Sequence, residues 1–112
     1  FKPETDDMRE SPSIDIINGL LDLGAKVCAY DPAALEEAKK ILPKKTLFVS
    51  NAKHCIKDKD ILVILTEWNE FRALEPENIS RLMKGNIVFD LRNIFDLEAM
   101  QKSKISYFGI GR

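Results

Sequence analysis

The sequence predicts an α/β domain, a mostly parallel sheet flanked by helices. Strand-like and helix-like stretches alternate along the chain with short connections, the pattern of parallel strands joined by crossover helices. The run "ILVIL" (61–65) is continuously apolar, as expected of a parallel strand buried on both faces. Gly24, Pro32, Pro43 and Gly85 fall where one stretch gives way to the next.

Each element has its own local reason. Ser11 is a suitable N-cap and Pro12 suits the first helical position, where its missing N–H leaves no bond unmade. Ile14, Ile17, Leu20, Leu21 and Leu23 then recur at roughly helical spacing, and Gly24 can close that helix in the left-handed region. "AKVCAYDP" reads as a short strand stopped at Asp31-Pro32. "AALEEAKKIL" is an amphipathic helix ending before Pro43, and "TLFVS" a second short strand. Ser50 or Asn51 caps a brief helix, "AKHCIKD". "DILVILT" is the clearest strand and is expected at the centre of the sheet. "EWNEF" and "PENISRLMKG" are helical, with Gly85 as terminator. "NIVFDL" is a buried strand, "DLEAMQK" a short helix and "ISYFGIG" a last strand. This order predicts a Rossmann-like three-layer sandwich. Ligands of such sheets sit beyond the carboxyl ends of the strands, which singles out Asp31-Pro32, Thr66-Glu67-Trp68 and Asp90-Leu91-Arg92-Asn93.

The bulk properties narrow the function classes. At 112 residues the chain is read as one domain, 1–112. A net charge of −1 gives no bulk attraction for nucleic acid or an anionic membrane, and no apolar run is long enough to span a bilayer. Any phosphate must therefore be held by a few placed cations. Cys28 and Cys55 each lie in or beside apolar runs, so two buried free thiols are expected rather than a disulfide. His54 is the sole histidine, which disfavours a zinc site and leaves a Cys–His pair weakly supported. The chain begins at Phe with no initiator Met, so we expect a piece of a larger protein; the free thiols go with a cytoplasmic one.

The candidate residues each admit an ordinary reading as well. Asp31 occupies the place of a ribose-binding acid, but that role needs a glycine-rich turn earlier in the chain. The corresponding loop, "KPETDDMRESPS", contains no glycine, so Asp31 is read as a turn residue before Pro32. Lys2 and Arg9 flank Glu4, Asp6 and Asp7. Such cations can grip phosphate oxygens, arginine as a fork and lysine as a point charge, or can be paired surface residues. Arg92 in "DLRN" suits an anion at the ligand edge, and so would an ordinary loop arginine. Glu67 can serve as a general acid or base and Trp68 can stack on a ring. The preferred reading has Trp68 capping the core and Glu67 opening a helical turn. One histidine without a placed nucleophile makes no triad.

"FKPETDDMRESPS", "GAKVCAYDP", "LTEWNEF", "DLRNIFD" and "YFGIGR" together resemble the C-terminal, UDP-binding domain of the UDP-glucose/GDP-mannose dehydrogenase family, over essentially the whole chain. Among its members the motifs look most like the branch that oxidises UDP-glucose. The resemblance implies a nucleotide-sugar-binding domain of an enzyme that oxidises the sugar C6 alcohol to a carboxylate with two NAD+, as a homodimer or larger assembly. The NAD-binding domain and the catalytic cysteine and lysine belong to parts of such proteins that precede this segment, and Cys28 and Cys55 do not match that cysteine's motif. The resemblance assigns Phe1 and Lys2 to the substrate, Arg9 to NAD held by the other domain, and Arg92 to the nucleotide sugar. It implies an isolated domain inactive by itself. Two other readings stay open: the same domain of a GDP-mannose or UDP-N-acetyl-sugar dehydrogenase, and a module whose main role is assembly.

Overall fold

The structure, a computed structural model, describes residues 12–112. It divides into two compact units, the first running to Cys55 and the second from Ile56 to Arg112. Every strand pairing among the described residues is parallel, and helices connect the strands, as the α/β reading requires.

In the first unit, helix α1 spans Pro12–Asp22, and Ser11, read as its N-cap, lies outside the described residues. The helix closes as the sequence suggests. Gly24 takes φ +90, its N–H bonds the Leu21 carbonyl, and the Ala25 N–H bonds that of Leu20, each at 3.0 Å. These two bonds satisfy carbonyls that the helix end would otherwise leave open. The helix buries Ile17 against Ala38 and Leu42, with Ile14, Leu21, Val27 and Phe48 around them. Strands β1 (Cys28–Ala29) and β2 (Leu47–Phe48) pair in parallel. Between them runs α2 (Leu35–Ile41), which ends where Leu42 turns extended ahead of Pro43. Helix α3 (Ala52–Ile56) is capped by Asn51, whose Oδ1 accepts the His54 N–H at 2.8 Å.

The second unit holds β3 (Ile61–Ile64), α4 (Asn69–Arg72), α5 (Pro76–Leu82), β4 (Ile87–Asp90), α6 (Leu97–Gln101) and β5 (Ser106–Gly109). The strands lie in the order β3-β4-β5, with Ile61, Ile87 and Ser106 in register. Ile64, Val88 and Ile105 join Ile56, Ile79, Met83, Phe95 and Met100 in a single core. Helix α6 starts on the Asp96 side chain, which accepts the Ala99 N–H.

Two expectations change in this unit. Within this sheet the central strand is β4, while β3 stands at one end of the order with Ile61 50% exposed. An unbroken apolar run fixes the strand but not its neighbours, and Val88, fully buried at mid-strand, marks the central position instead. Gly85 is not what ends α5, because that helix stops at Leu82 and Met83 is already extended. The glycine is needed for close approach, since a Cβ there would sit 2.3 Å from the Asp60 carbonyl oxygen. The Lys84 and Gly85 N–H groups both bond the Lys59 carbonyl at 3.0 Å, pinning the two segments together.

Candidate functional site

The parallel order of the second unit brings three strand ends to one rim: Leu65–Trp68 after β3, Leu91–Asn93 after β4, and Ile110–Arg112 after β5. Asp90, the last residue of β4, is fully buried and organises that rim. One carboxylate oxygen accepts the Arg92 N–H at 3.2 Å. The other accepts the Phe95 N–H at 3.1 Å and the Tyr107 hydroxyl at 2.7 Å. A buried carboxylate is tolerated only when so supplied with donors. Burial, followed by the hydrogen bond to Asp90, pushes the Tyr107 phenol up to about 12.

The next layer out closes the loop. Asn93 sits in the left-handed region, φ 51, which asparagine tolerates better than most residues. In that pose its amide makes two bonds to Ile110, donating to the carbonyl and accepting from the N–H, each at 2.8 Å. Arg112 donates to the Phe95 carbonyl at 2.6 Å and the Tyr107 hydroxyl at 3.0 Å. The Leu91–Phe95 segment is thus held from beneath by Asp90 and from the side by the chain after β5.

Arg92 projects from this braced segment. Its Nε donates to Glu67 Oε2 at 2.5 Å, and its side chain stays 46% exposed. Among the described residues the two terminal guanidinium nitrogens have no protein partner, so the fork keeps an open edge. The bond from Arg92 holds the Glu67 carboxyl below its ordinary range. Arg72 adds a second cation, donating from its own Nε to the Glu67 carbonyl at 3.3 Å. Trp68 follows Glu67 and is half-buried, its indole N–H enclosed and without a partner among the described residues.

Of the residues singled out in the sequence, Arg92 stands on this rim. Phe1, Lys2 and Arg9 lie outside the described residues. Glu67 does not open α4, which starts at Asn69; it reaches across to Arg92 instead. That contact spans 25 residues and depends on β3 and β4 being neighbours, which no local pattern states. Asp31 is a turn residue as read, its Oδ1 accepting the Ala33 and Ala34 N–H groups at 2.9 Å. Cys28 and Cys55 are free thiols but half-buried rather than buried as expected, and the Cys55 thiol donates to the Cys28 carbonyl at 3.3 Å. His54 bonds Asn51 on the surface. No group of His, Cys, Asp and Glu among the described residues forms a metal-ligand set, and none of their helices is long and apolar enough to cross a membrane.

Comparison with known proteins gives this rim a context. The model of the UDP-glucose/GDP-mannose dehydrogenase family, UDP binding domain, matches residues 1–97. A UDP-glucose 6-dehydrogenase of Rhizobium meliloti is 42% identical over 112 residues, covering 100% of this chain and 25% of that protein. A crystal structure of an NDP-N-acetyl-D-galactosaminuronic acid dehydrogenase from Methanosarcina mazei superposes with TM-score 0.85 at 24% identity, over 100% of this chain and 23% of the other. That similarity is one of fold. A UDP-glucose dehydrogenase from the archaeon Pyrobaculum islandicum superposes with TM-score 0.76 at 29% identity, over 98% of this chain and 23% of the other. The chain therefore spans about a quarter of the length of the curated relatives it matches. On the strength of the family match and of the fold shared with these dehydrogenases, this chain belongs to the UDP-glucose/GDP-mannose dehydrogenase family, as its C-terminal, UDP-binding domain.

Proposed function

We propose that residues 1–112 are the nucleotide-sugar-binding domain of a cytoplasmic, NAD-dependent UDP-glucose 6-dehydrogenase, a homodimer or larger, which oxidises UDP-glucose to UDP-glucuronate with two NAD+. The observation that carries the reading is Arg92. A diphosphate needs a cation with several donors in one plane, and guanidinium supplies them in a fixed fork. Arg92 meets this on a strand-end rim, the edge where such sheets hold ligands, with no partner for its terminal nitrogens among the described residues. The names of the relatives at about 40% identity favour UDP-glucose among the nucleotide sugars.

NAD belongs to this reading through the longer protein. The chain has no glycine in the turn where a dinucleotide's phosphates would need close backbone approach, because Lys2–Ser13 lacks any. In the proposal the cofactor's chemistry, hydride acceptance, is supplied elsewhere, with Arg9 reaching toward it and Phe1 and Lys2 contacting the sugar nucleotide. The domain by itself binds and positions, and does not turn over.

Calorimetry of the 112-residue chain with millimolar UDP should give a weak, saturable heat that Arg92→Ala abolishes. No heat, or heat untouched by that substitution, would sink the reading. Assay of the full-length protein with NAD+ and a panel of nucleotide sugars identifies the substrate, and turnover of GDP-mannose or a UDP-N-acetyl sugar in place of UDP-glucose replaces the sugar named here. Light scattering addresses assembly: a stable dimer of this chain alone would favour the module reading.

A further inference from the structure

We infer that Glu67 is a positioning residue for nucleotide-sugar binding, anchoring one edge of Arg92 so that the guanidinium meets a diphosphate end-on. This rests on the reading of Arg92 given above. Guanidinium offers two bidentate edges, one made of Nε with a terminal nitrogen and one made of both terminal nitrogens. Glu67 Oε2 occupies Nε, so only the end-on edge is left for an incoming anion. A long, part-exposed arginine otherwise samples many rotamers and must be ordered when ligand arrives. Here both ends of that freedom are already restricted. The backbone N–H of Arg92 is fixed by Asp90 and its Nε by Glu67, and Arg72 in turn holds the Glu67 carbonyl.

The arrangement has a chemical cost that makes it testable. Glu67 places a negative charge beside a site for a polyanion. If it only neutralised Arg92, removing it would strengthen diphosphate binding through the loss of repulsion. If it orients Arg92, removing it weakens binding despite that loss. The two roles predict opposite signs.

The experiment titrates UDP-glucose into the 112-residue chain, wild type and variants, following the Arg92 Nε–H resonance by NMR and the affinity by calorimetry. UDP-glucose serves as probe because its diphosphate does not titrate near neutral pH. Glu67→Ala should weaken binding by about five- to tenfold, in keeping with one charge-assisted bond lost from an oriented contact. It should also broaden the Nε–H signal in the free chain. Glu67→Gln, which keeps an acceptor without the charge, should recover part of the affinity. Unchanged or tighter binding in Glu67→Ala, with Arg92→Ala still defective, overturns the positioning role alone. Unchanged binding in Arg92→Ala overturns the reading of Arg92 on which it rests. Gln keeps the side chain's size, so its affinity decides between the two roles if the alanine variant fails to fold: a value equal to or above wild type counts against the proposal.

Discussion

The buried carboxylate of Asp90 gathers a phenol and two backbone N–H groups at the end of one strand, and the rim depends on it. Asp90→Ala would strand those donors and should cost about 2–4 kcal/mol in urea unfolding. Tyr107 reports on the same contact. Its folded-state value, about 12, lies above the ordinary 10.0. The linked stability is therefore fully present below pH 10.0 and is lost as pH climbs toward about 12. Tyrosinate absorbance should show a late step that Tyr107→Phe removes. Glu67 has the opposite sign. Its carboxyl is held below 4.5, so its contribution is present above that pH and fades on acidification through the lowered value. That acid-side loss should shrink in Glu67→Gln. At this scale the sequence singled out the segment Asp90–Asn93 and Arg92 within it, and the structure places both on the rim. It did not disclose the partners, because Glu67, Tyr107 and Ile110 reach Arg92, Asp90 and Asn93 only through the strand order.

Elements were more legible than contacts. Gly24 closes α1 as read, through a preference that operates within a few residues, and α6 is the helix read at "DLEAMQK", with Asp96 as its cap rather than its first turn. The lengths were less so: β1 and β2 are two residues each, shorter than their apolar stretches suggest, since pairing rather than composition sets the ends of a strand. Gly85 shows the same limit. Its role depends on Asp60, close in space but distant in the chain, and not on α5. Gly85→Ala should therefore destabilise by about 1–3 kcal/mol, measured by denaturant midpoint, because the opposing atom is backbone and cannot step aside. Gly24→Ala faces open space and suffers only from φ +90, so its cost should be smaller, about 1 kcal/mol.

At the scale of the molecule, the two units each carry a core of their own, and these differ in kind. The second unit centres on fully buried Ile79, Val88 and Met100, and Ile79→Ala there should cost about 2–5 kcal/mol. Hydrogen exchange should be slowest in β4, the strand laddered on both sides, and faster across β1 and β2. Family membership was legible in the motifs at the level of the whole chain, while the opening motif, with Phe1, Lys2 and Arg9, falls outside the described residues.

The parallel sheet of the second unit also sets an order of events in time. Its middle strand is made after one neighbour and before the other, with α4 and α5 between the first pair and α6 between the second. No ladder can close while β3 is the only strand available. Once β4 emerges it pairs on one side alone, with the Phe89 ring awaiting the Phe108 ring on which it stacks at 5.1 Å. Long-range closure of this sort is slow, and a half-paired strand with an aromatic on its open face invites other chains. The interval before β5 docks is thus the period of greatest aggregation risk during this domain's synthesis.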